Sequence, residues 1–183
     1  MPLPESRDGV ASRVTLLPYD ENWPGAYQAE ELRIRNFIAR NVVSIQHVGS
    51  TAVPGLAAKG TIDIVAGLRH MGDAPACIRK LGALGYVHGI EFDSADHKLL
   101  YRSRSHSWTH IVHLVEYHSP LWHRYVRFRD RLCADESKRR AYQLLKEQLA
   151  RECGEDVRRY TSAKSAFICE VVGLPHEPAA AGI

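Results

Sequence analysis

The spacing of apolar residues divides the chain into two parts with different periodicity. In residues 12–117, short apolar runs typical of strands alternate with segments whose apolar residues recur at helical spacing. The runs predict strands at 13–17, 42–48, 61–68, 86–88, 98–102 and 110–116, and the helical spacing predicts helices at 24–40 and 75–84. This order predicts an α/β fold of the α+β kind, in which helices flank a mixed sheet.

Residues 118–173 carry helical periodicity alone. Ser119 followed by Pro120 is typical of a helix start. Three apolar stripes follow, made of Leu121, Tyr125, Phe128 and Leu132, then Tyr142, Leu145 and Leu149, then Tyr160, Ala163, Phe167 and Val171. We expect one domain over 1–183, with an α/β core at 12–117, a helical half at 118–173 packed beside the sheet, and a tail at 174–183.

The composition excludes several classes of protein. A hydrophobic fraction of 45% and a charged fraction of 25% fit a globular protein. No apolar stretch approaches the roughly 20 residues that span a membrane, and residues 1–11 lack the apolar run of a signal peptide. We therefore expect a cytoplasmic protein with no membrane partner. The four cysteines show no CxxC spacing, which favours reduced thiols over a zinc site.

A small-residue turn follows the predicted strand at 42–48. Gly49, Ser50 and Thr51 can bring backbone N–H groups and hydroxyls close to phosphate oxygens. Lys59, shortly after, can neutralise a phosphate as a point charge. A plain tight turn and an exposed loop lysine are the alternatives at these positions.

Asp63 is the acidic residue of the apolar run at 61–68. A carboxylate in a buried strand is unfavourable unless a cation or a metal ion pairs with it. His110 and His113 are three residues apart on a predicted strand, so they point to opposite faces. If His113 shares the face of Asp63, it is a candidate metal ligand or proton carrier, with a hydrogen-bonded core histidine as the alternative.

The net charge of +3 and the basic helical half permit an anionic ligand. Acidic residues at 130, 135 and 136 interrupt the basic ones, which argues against a nucleic-acid partner and favours a solvated face with ion pairs. Tyr160 and Lys164 are one helical turn apart, so they can reach a ligand together from the helical side. Arg102 can reach it from the sheet side.

Several segments together resemble the GrpB (UPF0157) family, a group within the nucleotidyltransferase superfamily. The strongest likeness is the run HVGSTAVPGLAAKGTIDIVAGL at 47–68. Four further segments add to it, namely VTLLPYDENWPGAYQAEELRI, THIVHLVE, SPLWHRYVRFRDRL and YTSAKSAFICEVV, and the resemblance extends over about residues 13–172.

The resemblance implies a nucleotidyltransferase-like mixed sheet followed by a helical bundle. In the superfamily, a Gly-Ser turn holds the nucleoside triphosphate, and three acids on neighbouring strands hold two magnesium ions. Gly49 and Ser50 match the turn, and Asp63 matches the first acid, whereas Val65 and His113 stand at the other two acid positions. One Asp with one His suits a softer divalent ion such as manganese or zinc, or no metal, better than magnesium.

The resemblance therefore predicts a protein that binds a nucleotide or another phosphorylated small molecule, with nucleotidyl or phosphoryl transfer aided by a divalent metal. Asp63, His113 and His47 are its candidate catalytic residues, and Asp63 and His113 its candidate metal ligands. The alternative is a non-catalytic ligand-binding or chaperone-like module linked to nucleotide or coenzyme A metabolism. Relatives fused to dephospho-coenzyme A kinase motivate that alternative and suggest a protein partner in cofactor metabolism.

Overall fold

The computed structural model describes residues 14–105, 107–153 and 156–174. Residues 1–13 and residues 175–183 of the predicted tail lie outside these ranges. Five strands are present: β1 (Val42–Val48), β2 (Ile62–Leu68), β3 (Val87–His88), β4 (His97–Arg104) and β5 (Ser107–Glu116). The helices are α1 (Trp23–Ile38), α2 (Ala74–Gly82), α3 (Pro120–Ala134), α4 (Glu136–Cys153), α5 (Val157–Ala163) and α6 (Ser165–Val172).

The strands form one mixed sheet in the order β1-β2-β5-β4-β3. β2 and β5 run parallel, and the other neighbours run antiparallel. The nearly continuous apolar run of β2 is explained by its position inside the sheet, where helices cover both of its faces. The α+β class predicted from the sequence is confirmed.

Alternation along β2 separates the two faces of the sheet. Ile62, Ile64, Ala66 and Leu68 pack into the cluster formed with α1 and α2. Asp63, Val65 and Gly67 point the other way, toward the helical half. A β-carbon at Gly67 would lie 2.9 Å from the ring of Trp122 on α3, so α3 packs directly on this face. Asp63 is therefore on the side of the sheet that the C-terminal helices approach.

The outer edge of β1 is covered by side chains from both layers. The hydroxyl of Tyr27 on α1 donates to the carbonyl of Ile45 at 3.1 Å. Arg129 on α3 donates to the carbonyl of His47 at 2.8 Å. These contacts occupy edge carbonyls that would otherwise be open to another strand, and they fix β1 between the helices.

Two predicted elements differ from the structure. Residues 14–17, the described part of the strand predicted at 13–17, form no strand, and Leu17 makes an isolated bridge with Ala58. Val14 packs instead with Leu149, Cys153 and Tyr160 of the helical half. Its apolar side chain is therefore buried by helices and not by pairing with a strand. The predicted third C-terminal helix is divided at Lys164 into α5 and α6.

Within the described ranges, none of the helices has both the length and the apolar character needed to cross a membrane.

Candidate functional site

The turn after β1 packs directly against Asp63. Gly49 adopts φ 70° and ψ −168°, a combination that is essentially restricted to glycine. A β-carbon at this position would lie 2.3 Å from Oδ2 of Asp63. The close approach of this backbone explains why a glycine stands between the end of β1 and the short 3₁₀ turn Ser50–Ala52.

Asp63 is partly accessible to solvent. Desolvation raises the pKa of its carboxyl group to about 6, and the positive charges of Lys59 and Lys164 act in the opposite direction. Among the described residues, none donates a hydrogen bond to the Asp63 carboxylate or forms an ion pair with it. Asp63 is thus a carboxylate in a desolvated site near two ammonium groups.

Tyr160 brings these two lysines together. Nζ of Lys164 lies 4.3 Å from the centroid of the Tyr160 ring, and Nζ of Lys59 lies 5.8 Å from it. Desolvation and the charge of Lys59 lower the pKa of Lys164 to about 7. Desolvation also lowers the pKa of Lys59, although much of that residue is exposed, and the charge of Asp63 partly offsets the effect. The break between α5 and α6 sets Lys164 at the junction from which it reaches this ring.

Lys146 on α4 is a site residue that the sequence analysis missed. It is 1% exposed, and its ammonium group donates to the carbonyl of Ala57 and lies 3.4 Å from Oγ of Ser50. Desolvation lowers its pKa to about 8. The sequence did contain an indication of its burial. Lys146 lies one helical turn after Tyr142, which is part of the predicted apolar stripe, so both side chains are on the same face of the helix.

His113 shares the sheet face of Asp63, because the parallel register pairs Asp63 with Ile111 and Val65 with His113. Its Nδ1 atom lies 3.0 Å from Nε2 of His97 and 3.1 Å from the hydroxyl of Tyr125 on α3. Desolvation and the nearby His97 hold the pKa of His113 well below its usual value, so the ring is neutral at physiological pH.

Hydrogen-bond chemistry assigns the tautomers of these two histidines. The carbonyl of Phe92 can only accept, so Nδ1 of His97, 3.3 Å away, carries a proton. Nε2 of a neutral His97 then accepts, and Nδ1 of His113 must donate to it. Nε2 of His113 is left with a free lone pair, and no partner for it is recorded among the described residues. His113 is accordingly a proton acceptor in this arrangement.

His47 and Thr51 belong to the support of the turn rather than to the face of Asp63. The antiparallel register pairs His47 with Ile64, which places His47 on the α1 side, stacked on Tyr27 at 4.7 Å. The buried hydroxyl of Thr51 donates to the carbonyl of Thr61 and lies 3.0 Å from Nε2 of His47. The sequence analysis grouped His47 with Asp63 because of its closeness along the chain, but strand alternation separates them.

Arg102 is also on the opposite face. It pairs with His110 in the sheet and forms two hydrogen bonds, at 3.0 and 2.9 Å, with the carboxylate of Glu30. Glu30 is 3% exposed and also accepts from Tyr86 at 3.0 Å. The predicted phosphate contact of Arg102 is therefore not formed in this arrangement, because a buried carboxylate of α1 holds the guanidinium on the far side of the sheet.

The described residues contain a separate cavity of about 180 Å³ between α4 and α6, lined by Ser137, Lys138, Ala141, Phe167, Glu170 and Val171. It lies away from Asp63, and none of the predicted site residues lines it.

The residues on the helical side of the sheet thus form one group. We call it the Asp63 site, and it comprises Gly49, Ser50, Lys59, Asp63, His113, Lys146 and Lys164. Within the ranges that the structure describes, no three His, Cys, Asp or Glu side chains are grouped so as to hold a metal ion. The predicted ligands Asp63 and His113 share a face but lack a third such donor there.

The fold and the site together define a small α+β protein whose sheet carries an aspartate and a histidine beneath a lysine-bearing helical half. The chain belongs to the GrpB family, since the family model described as GrpB protein matches residues 13–173. The crystal structure of conserved protein GrpB from Enterococcus faecalis is similar, with a TM-score of 0.79, 25% identity, and coverage of 87% of this chain and 95% of that one.

Curated relatives agree with this assignment. The glutamate-rich protein GrpB of Alkalihalophilus pseudofirmus is 31% identical over 87% of this chain and 94% of its own length. A UPF0157 protein of Deinococcus radiodurans is 31% identical over 85% of this chain and 78% of its own length. A dephospho-CoA kinase of Mycolicibacterium paratuberculosis is 33% identical over 50% of this chain and 23% of its own length.

Replacement of Gly49 tests the close approach to Asp63. Gly49→Ala should lower the free energy of unfolding by about 2–5 kcal/mol, because it adds backbone strain and a steric clash. The matched control is Gly55→Ala, since Gly55 also has a positive φ, of 76°, but nothing lies within 4 Å of the added carbon. Chemical denaturation measures both variants, and equal losses would contradict the proposed contact.

Replacement of Arg102 tests its structural role. Arg102→Met removes the bidentate partner of the buried Glu30 carboxylate, which stays paired with Arg33 at 2.9 Å and hydrogen-bonded to Tyr86. We therefore expect a loss of about 1.5–3 kcal/mol in the free energy of unfolding, the scale of hydrogen bonds to a charged group. Chemical denaturation measures the loss. A variant as stable as the unmodified protein would contradict the structural role of Arg102.

Proposed function

We propose that this protein binds a nucleotide or another phosphorylated small molecule at the Asp63 site and transfers a nucleotidyl or phosphoryl group. The observation that carries the proposal is the charge of the site. Lys59 and Lys164 share the ring of Tyr160, Lys146 stands beside Ser50, and Asp63 is the carboxylate whose charge acts on both Lys59 and Lys164.

The positive groups favour an anion for a physical reason. Ammonium groups held close together with little water repel one another, and this repulsion lowers the pKa of Lys164 beyond the effect of desolvation. A phosphate placed among them relieves the repulsion and accepts charge-assisted hydrogen bonds. Ser50 and the backbone of the turn after Gly49 supply further donors for phosphate oxygens.

Asp63 and His113 support the transfer part of the proposal. A general base works best when its proton affinity suits the operating pH and its lone pair is free. The pKa of Asp63 is about 6, and the tautomer assigned to His113 leaves Nε2 as an acceptor. Asp63 meets the first condition and can take a proton from an attacking hydroxyl. The pKa of His113 is held well below its usual value, so His113 serves as a hydrogen-bond acceptor that orients the hydroxyl, while Tyr125 and His97 hold its ring in place.

A non-catalytic module is the second candidate, and the similarity to part of a dephospho-CoA kinase favours it. In that case the same site would bind a nucleotide-like or coenzyme-like phosphate and present it, or sense it, for a protein partner in cofactor metabolism. The two candidates share the ligand chemistry and differ in what Asp63 does.

Ligand-induced stabilisation tests phosphate binding. ATP and inorganic pyrophosphate, at about 100-fold above Kd, should raise Tm by about 5 °C or more, because they bind the folded state alone. Adenosine, which lacks phosphate, should leave Tm unchanged. Lys164→Met should reduce the shift, whereas Lys80→Met on α2, across the sheet, should keep it. The absence of a shift with every phosphate compound would contradict the proposed function.

Asp63→Asn separates transfer from binding. Asn has nearly the same shape and no charge, so the fold and the Tm shift with ATP should be retained. Any release of phosphate or pyrophosphate from ATP, followed by ³¹P NMR with candidate acceptors, should fall at least about 100-fold, because a lost general base has an effect of this order. Turnover that is unchanged in this variant would exclude Asp63 from the chemistry.

A further inference from the structure

The donor set of the Asp63 site does not fit a divalent metal. Magnesium and manganese sites use several oxygen ligands, and Asp63 supplies the carboxylate here. The next residue on the same face of β2 is Val65, which is 0% exposed and packs with Trp122. The packing of Val65 against Trp122 thus occupies the position where a second carboxylate would stand. Among the described residues, no three metal-binding side chains are grouped together.

Lysines occupy the surroundings of that carboxylate. Lys59 and Lys164 are close enough for their charges to act on Asp63. Lys146 is close enough for its charge to act on Lys164. Cations around a carboxylate repel a divalent ion and attract an anion. The local electrostatics therefore oppose the entry of a metal and favour the entry of a phosphate.

Lys146 is well placed to act on a ligand. Its ammonium group has three N–H donors. It donates to the carbonyl of Ala57, lies 3.4 Å from Oγ of Ser50, and stands 5.1 Å from the centroid of the Tyr142 ring. The ring contact leaves the third N–H without a hydrogen-bond acceptor, so it can turn to a ligand oxygen. Lys146 is 1% exposed and no carboxylate is recorded in contact with it in the described part of the chain. An ammonium group buried in this way is unfavourable without a counter-charge, and a phosphate oxygen beside Ser50 would provide one.

We propose that the site binds its phosphate group as a metal-free anion, with Lys146 and Lys164 supplying the positive charge that divalent metal ions would otherwise supply. This inference rests on the proposed function, and it specifies the ionic form of the ligand. A magnesium chelate presents less negative charge and has its oxygens partly occupied, so it should bind no better than the free anion.

Calorimetric titration with inorganic pyrophosphate tests the inference on the full chain. We expect the affinity in EDTA to equal or exceed the affinity in excess Mg²⁺ or Mn²⁺. Lys146→Met and Lys164→Met should each weaken binding about tenfold or more in EDTA, since each removes a charge-assisted contact. Lys80→Met should bind like the unmodified protein. Circular dichroism verifies that each variant is folded, and Lys164→Met, being partly exposed, serves if Lys146→Met does not fold.

The outcomes separate this inference from the proposed function. Binding that requires Mg²⁺ or Mn²⁺, or that EDTA weakens tenfold, would overturn the metal-free site while leaving phosphate binding intact. The absence of pyrophosphate binding in all conditions would overturn both. An independent measurement is electron paramagnetic resonance of Mn²⁺, which should show free Mn²⁺ in the presence of the protein alone, and a bound signal would contradict the inference.

Discussion

The contact between the Gly49 backbone and the Asp63 carboxyl group is the constraint on which the site depends. Because a β-carbon at residue 49 would lie 2.3 Å from Oδ2 of Asp63, the chain can turn here only without a side chain. The turn carries Ser50 to 3.4 Å from Nζ of Lys146, on a helix far along the chain. From the other face, Thr51 and His47 hold the same turn through a 3.0 Å contact. This turn is therefore one of the places where the sheet and the helical half meet, and it sets Ser50 between Asp63 and Lys146.

The excess of positive charge at the Asp63 site lowers the stability of the folded protein when no ligand is bound. Lys164 has a pKa of about 7 against an ordinary value of 10.5, so the unfolded chain binds more protons than the folded protein between these values. The contribution of Lys164 to stability thus decreases as pH falls from about 10 toward 7. Lys146 acts in the same direction with a pKa of about 8. A bound anion favours the charged lysines and removes this penalty, which links ligand binding to protonation at neutral pH.

Periodicity predicts most of the fold, whereas the membership of the site depends on contacts between distant residues. The apolar run of β2 and the cap at Ser119 indicate their elements from local sequence, and the hydroxyl of Ser119 does accept from Trp122. Closeness along the chain, however, suggested His47 as a site residue, and Arg102 was expected to reach the ligand from the sheet side. Strand alternation places His47 on the other face, and the buried Glu30 holds Arg102 there. Helical spacing could place Lys146 on a buried face, but it could not identify the partners of its ammonium group, Ser50 and Ala57, which lie far away along the chain.

The central claim is that Lys146 and Lys164 are held without a counter-charge until they bind an anionic ligand. NMR titration of their Nζ–Cε groups tests this claim most directly. The account predicts pKa values of about 8 for Lys146 and about 7 for Lys164 in the ligand-free protein. Saturation with pyrophosphate in EDTA should raise both toward the ordinary lysine value, because a nearby negative charge favours the protonated form. Ordinary values in the ligand-free protein, or perturbed values that pyrophosphate does not change, would contradict the account.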